Sequence, residues 1–255
     1  MPTLLLTPRQ VEDTRLLRAA ALAAGWEVVR LQRWRPPPAA TLRPPIAIYG
    51  EPLFVEAVAG ALGIEPLQPG LDWLARLPEA YRLRKVDFLT LGQARSAPGP
   101  AFIKPADDKC FPAQVYADGG AGLPRHAGLD ESTPTLISEP VRWRLEVRCF
   151  VAERRLRAAS IYARDGELAR GEAGDFPWSE AERAAAEAFV ARLLADPAVD
   201  LPAAVVLDVG EIAGRGWATV EVNPAYGAGI YGCDPAGALE VIARCFPGGE
   251  DQLTP

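Results

Sequence analysis

Ala204–Asn223, AVVLDVGEIAGRGWATVEVN, reads as two strands joined by a tight turn at Gly214 and Arg215. With those two residues as the loop, Ala213 faces Gly216, and counting back along both strands sets Asp208 opposite Glu221. Strand side chains alternate between faces, so Asn223 joins that pair, while Val205, Leu207 and Val209 share the other face with Ala218, Val220 and Val222. One face is then apolar and fit for a core, and the other carries three oxygen donors. Two carboxylates facing each other across a ladder repel unless a cation lies between them, which points to a metal site. The alternative is an ordinary hairpin with a solvated outer face. Weighing against it is the loop that follows, PAYGAGIYG at 224–232, Gly-rich and aromatic and leaving the strand end where ligand-binding loops lie.

The chain has 255 residues, enough for one large or two modest domains at about 150 residues each. Hydrophobic residues make up 49%, yet no apolar run approaches the roughly 18 residues that span a bilayer, so a soluble globular protein without membrane association is expected. The start, MPTLLLTPRQ, lacks a basic segment ahead of its short apolar run, and no signal peptide is expected. Cys110, Cys149, Cys233 and Cys245 form no CxxC pair and are too scattered for a disulfide framework, which fits a cytoplasmic location. A net charge of −6 argues against nucleic acid or an anionic membrane as the main partner. Arginines nonetheless cluster at Arg142, Arg144, Arg148, Arg154, Arg155 and Arg157, where an anionic ligand would be received.

In chain order the pattern predicts a strand at Thr3–Thr7, a helix at Arg9–Ala24 stopped by Gly25, and a strand at Trp26–Leu31. A Pro-rich loop leads to a strand at Ile46–Tyr49 and a helix at Pro52–Leu62 stopped by Gly63. This order implies a small α/β layer with parallel pairing, and it carries no GxGxxG fingerprint. Short helices follow at Trp73–Leu77 and from Glu79 through Arg84, then a strand at Phe102–Lys104 and an irregular segment to about Pro134. Strands are read at Leu136–Ser138 and Glu146–Val151, with Leu156–Tyr162 returning from a turn at Glu153 and Arg154. Ser179–Ala195 is a helix capped by Ser179 with Glu182 as its capping-box partner, and a last helix covers Pro235–Cys245.

Lys104 ends an apolar strand in FIKP, as a point cation for phosphate or as a surface residue at the sheet edge. Lys109 follows in a polar loop. Leu136–Val141, LISEPV, runs from a strand into a proline and exposes unpaired backbone groups able to read a purine edge. Beyond it, Arg144, Glu146 and Arg148 share one strand face, either as a structural ion-pair row or as a cleft wall for ribose and phosphates. The single histidine, His126, sits in a polar loop and receives no catalytic role.

Taken in order, FIKP, LISEPVRWRLEVRCFV, VVLDVGEI and VEVNPAYGAGIYG resemble the ATP-grasp superfamily over about Tyr81 to Asp234. The resemblance implies an α/β (α+β) fold in which two subdomains grip ATP across 81–255, preceded by a small Rossmann-like α/β unit over 1–80. It makes Lys104 a phosphate ligand, Glu139 and Val141 the adenine hinge, Glu146 a ribose contact, and Asp208, Glu221 and Asn223 the ligands of Mg2+. The superfamily's earlier phosphate-binding lysine falls near Lys85, with Arg82 or Arg84 as substitutes. Arg148 then positions phosphates, Tyr226 and Tyr231 wall the acceptor site, and Arg148 or Arg164 clamps a substrate carboxylate. The implied reaction is ATP-dependent ligation of a small-molecule or peptide carboxylate to an amine. A nucleotide-binding regulatory module and a hydroxyl kinase stand as alternatives, and a homodimer remains open. One departure is the segment after Lys104, PADDKCFP, which lacks the superfamily's Gly-rich flap and leaves part of its work to Lys109.

Overall fold

The computed structural model describes residues 1–107 and 109–247. A fully buried run, Thr3–Leu6 (β1), is followed by α1 (Glu12–Ala23), β2 (Glu27–Arg30), β3 (Ile46–Tyr49) and α2 (Pro52–Ala61). β1 lies between β2 and β3 and pairs parallel with both. Gly25 and Gly63 adopt φ of 76° and 72° just beyond the two helices, the left-handed conformation that ends a helix most readily at glycine.

Two short helices, α3 (Trp73–Arg76) and α4 (Glu79–Arg82), lead into a four-stranded antiparallel sheet. Its members are β4 (Val86–Thr90), β5 (Ala101–Pro105), β6 (Gln114–Tyr116) and β7 (Pro134–Ser138), in the order β4-β7-β5-β6, with the one-turn helix α5 (Leu91–Ala94) after β4. β4 and β6 were not legible in the sequence: each is short and largely exposed, and neither shows a clean alternation. A five-stranded sheet follows, built from β8 (Trp143–Ala152), β9 (Arg155–Arg164), β10 (Glu167–Leu168), β11 (Ala204–Ile212) and β12 (Gly216–Asn223), in the order β10-β9-β8-β11-β12. β8 and β9 turn at Glu153 and Arg154, whose φ values of 50° and 57° suit a two-residue hairpin loop.

Helix α6 (Glu180–Ala195) covers one face of this sheet. Phe189, Val190 and Leu193 meet Val147, Cys149, Val205, Leu207 and Val209 in a shared core. Ser179 accepts the Glu182 N–H at 3.2 Å while the Glu182 carboxylate accepts the Ser179 N–H at 2.8 Å, the capping box read from the sequence. The opposite face joins Phe150, Ala152, Ala204 and Val206 to β1, β3, α2 and the last helix, α7 (Pro235–Ala243), in one continuous core. No helix among the described residues is long and apolar enough to cross a membrane.

The β11–β12 hairpin differs from its two-residue reading. Ile212 pairs with Gly216, so the loop holds three residues, and a β-bulge at Val220 follows, with Val209 opposite Thr219 and Asp208 opposite Glu221. The two departures cancel, so the pairing of Asp208 with Glu221 survives. Nearer the turn the faces are exchanged: Ala218 lies opposite Gly210 instead of sharing a face with Val209, and Thr219 takes that inward place with no exposed surface. Only the half of the hairpin beyond the bulge keeps the simple alternation.

Candidate functional site

Between the four-stranded and five-stranded sheets lies a cavity of about 440 Å³. Its apolar part is made by Leu74, Val86, Phe102, Leu136, Val141 and Trp143, and its polar end by Lys104, Glu146, Tyr162 and Glu221. Gly210 makes the wall possible. A Cβ there would stand 2.7 Å from the Leu145 carbonyl and 2.8 Å from the Trp143 ring, so any larger residue would push the indole off β11.

The link from β7 to β8 borders the apolar part. The Glu139 N–H is donated to the Lys85 carbonyl at 3.0 Å, which leaves the Glu139 carbonyl and the Val141 N–H, on either side of Pro140, to face a ligand. The Glu139 carboxylate forms a 2.5 Å ion pair with Arg215 from the hairpin turn. Arg84 anchors the same corner: only 7% exposed, it donates to the Thr219 and Val220 carbonyls at 2.7 and 3.0 Å and lies 5.0 Å over Trp143. The bulge therefore has its freed carbonyls satisfied by a buried guanidinium, whose own pKa burial pulls down to about 10.

At the polar end Lys104 reaches Glu221 at 2.5 Å, and Asn223 donates to Glu221 at 2.9 Å and to Asp208 at 3.4 Å. Asp208 has no exposed surface and is gripped by Arg148 through two hydrogen bonds of 2.9 and 2.6 Å. Arg148 spends its third nitrogen on the Gly229 carbonyl at 2.9 Å and lies over the rings of Tyr231 and Tyr162 at 4.9 and 5.4 Å. Burial pushes the Asp208 carboxyl up to about 6 against the pull of Arg148. Burial acts the same way on Glu221, but Lys104, Asn223 and Arg148 outweigh it and hold that carboxyl at about 2. Glu146 is raised by burial and accepts from the Tyr162 hydroxyl at 2.7 Å.

The sequence-derived set thus divides. Lys104, Glu139, Val141, Glu146 and Glu221 line one cavity, with Asp208, Asn223, Arg148 and Tyr231 adjoining it. Four expectations need correction. Lys85 is outside the cavity, its side chain 78% exposed and paired with Asp87 at 3.1 Å; its neighbour Arg84 occupies the lining. Arg164 points to the α6 cap, where it holds Glu182 at 2.6 Å, so it clamps no substrate carboxylate. Tyr226 is fully buried in the core beside Phe246 and cannot be a wall of an open site. Arg148 has all three guanidinium nitrogens committed, so it positions Asp208 and the Gly229 backbone rather than a phosphate. Lys109 is exposed in the loop after β5 and lies outside the lining; its neighbour 108 falls outside the described residues. Arg144 pairs with Glu211 at 3.3 Å instead of flanking Glu146. Trp143 and Tyr162 were missed as walls, since an aromatic residue in a strand signals core as readily as a binding face.

Among the described residues no three His, Cys, Asp or Glu side chains cluster as a metal cage. Magnesium does not require one: it takes one or two protein carboxylates and completes its shell with water and phosphate oxygens. Asp208 and Glu221 supply that number, and Asn223 adds an amide whose Oδ1 accepts no hydrogen bond among the described residues. The donor set fits Mg2+ carried with a phosphorylated ligand that draws Lys104 off Glu221.

Residues 81–241 match the model of a family described as an ATP-grasp domain, the second family of its clade. No curated protein matches the chain. Among solved structures it is similar to a RimK domain protein ATP-grasp from Sphaerobacter thermophilus, at 19% identity and a TM-score of 0.54 over 95% of this chain and 99% of that one. It is also similar to the ATP-grasp ligase PsnB complexed with minimal precursor, at 14% identity and 0.55 over 96% and 99%. D-cycloserine synthetase DcsG gives 14% identity and 0.54 over 94% and 98%. At such identities the likeness is one of fold.

Proposed function

The chain belongs to the ATP-grasp domain family that residues 81–241 match, and on that premise we propose that it is an ATP- and Mg-dependent ligase joining a carboxylate to an amine or similar nucleophile through an acyl phosphate. The observation that carries the reading is one cavity with an apolar slot at one end and Lys104, Glu146 and Glu221 at the other, beside Asp208 and Asn223.

In this reading adenine lies between Leu136, Val141 and Trp143. The Glu139 carbonyl accepts from its amino group and the Val141 N–H donates to its ring nitrogen. Glu146, held by Tyr162, receives a ribose hydroxyl. Lys104 exchanges Glu221 for a phosphate oxygen, a point charge that a strand end holds in place. Asp208, Glu221 and Asn223 would hold magnesium, which when bound neutralises phosphoryl charge. The substrate carboxylate attacks the γ-phosphate and ADP leaves; the nucleophile then attacks the acyl carbon, and phosphate departs with the bond electrons. Alignment and electrostatics do the catalysis, and no side chain forms a covalent bond. Arg148 keeps Asp208 ionised and fixes the Gly229 turn beside the reacting groups.

The test is ADP release from Mg-ATP over amino acids and short peptides, with hydroxylamine present to trap acyl phosphate as hydroxamate. Turnover with hydroxamate supports the ligase, a stable phosphorylated product replaces it with a kinase, and nucleotide binding without turnover leaves a binding module. Glu221→Gln is expected to abolish Mg-dependent turnover, and an unchanged rate would remove Glu221 from the site.

A further inference from the structure

Among the described residues the outer edge of β9 is open over Arg155–Ile161, because β10 pairs only with Ala163 and Arg164. In an antiparallel pair alternate residues turn their N–H and C=O groups away from the partner strand, so this stretch offers a template for another strand. Beside it runs a cavity of about 650 Å³, larger than the one between the sheets, with Phe176 and Trp178 as its far wall. It ends at Gly232, where a Cβ would stand 2.6 Å from the Ser160 hydroxyl and 2.8 Å from Phe176. The preceding residue, Tyr231, stands edge-on to Phe176 at 5.9 Å and covers Arg148 at 4.9 Å. One end of the groove therefore abuts the aromatic wall of the Asp208–Arg148 corner.

The lining has a charge preference. Arg183 on α6 lies on Trp178 at 4.6 Å rather than on a carboxylate, and the Arg157 Nε is buried without a hydrogen-bond partner. We propose that this groove binds the acceptor substrate as an extended acidic peptide, added as a strand to the β9 edge with a carboxylate on Arg183 and its reactive end at Tyr231. Edge hydrogen bonds supply affinity for any sequence, and the guanidinium selects the acidic side chain. The assignment as acceptor rests on the ligase reading, whereas binding is measured without ATP.

The probe is a fluorescein-labelled peptide of alternating Val and Glu, followed by anisotropy, with two further versions N-methylated on one or the other alternate set of residues. One methylated version is expected to bind at least roughly tenfold more weakly and the other like the parent, since only one set faces the edge. Arg183→Glu is expected to weaken binding by a similar factor, and Glu187→Lys, one turn along the same helix, to tighten it. No saturable binding to the wild type, equal binding of both methylated versions, or indifference to Arg183→Glu each overturns the proposal. The Mg-ATP thermal shift of the same variants reports on the nucleotide site separately, so loss of the ligase reading is distinguishable from loss of the groove.

Discussion

Asp208 and Arg148 show what burial does to a single pair. Both are almost completely out of solvent, and each satisfies the other through two hydrogen bonds. Removing one member leaves an uncompensated buried charge, which costs about 3–5 kcal/mol. Asp208→Ala should therefore lower the urea midpoint by that much at an unchanged slope, measured without nucleotide or metal. The adjacent residues Arg84 and Lys85 make the opposite comparison. Lys85→Ala removes only an exposed pair and should shift stability by no more than about 1 kcal/mol, with Mg-ATP affinity retained. Arg84→Ala strips the bulge carbonyls of their donor and should cost about 1–3 kcal/mol and weaken Mg-ATP binding in a titration. A large affinity loss in Lys85→Ala instead would return the phosphate role to Lys85.

Helix α6 depends on its first turn. Arg164 and, behind it, the Ser179 N–H hold the Glu182 carboxyl at about 2, against about 4.3 for a free glutamate. A carboxyl depressed in the folded state contributes stability that is present above its unfolded value and lost as pH falls through the folded one. The wild type should thus lose stability between about pH 4.5 and pH 2 more steeply than Glu182→Gln, followed by urea denaturation at each pH. Ser179→Ala removes the other half of the box and should cost about 1 kcal/mol at neutral pH. The β11–β12 ladder shows a different kind of control. Its bulge exchanges faces at Val220, and Arg84, distant in sequence, stabilises that exchange.

Across the whole molecule the first sheet is not an appendage. Leu4, Leu6, Ile48, Phe54 and Val58 share one core with Phe150, Val206, Tyr226, Ile230 and Ile242. Gly50 donates to the Tyr226 carbonyl at 3.2 Å, and the Tyr49 hydroxyl donates to the Ala228 carbonyl at 3.0 Å, so the segment between Asn223 and Gly232 is held from both sides. Unfolding should therefore follow a single transition by fluorescence and circular dichroism. A chain starting at Tyr81 would expose Tyr226, Ile230 and α7, and is expected to be insoluble or unfolded; a soluble, cooperatively folding fragment would show that the two parts are independent.

The sequence by itself determined the local periodicities: the parallel order of the first three strands, the capped α6 and the facing of Asp208 and Glu221. Each follows from alternation, capping chemistry or glycine stops within a few residues. That same locality hid the rest. The three-residue loop and the bulge at Val220 leave no trace in a two-residue alternation because their offsets cancel. Whether Lys85 or Arg84 enters the cavity, and whether Tyr226 or Tyr231 meets it, depends on side-chain direction across packed elements, which neighbouring residues of similar type do not encode. Arg148, an arginine among many in the sequence, becomes a positioning residue only in the fold, where Asp208, Gly229 and Tyr231 meet around it and burial makes their pairing obligatory.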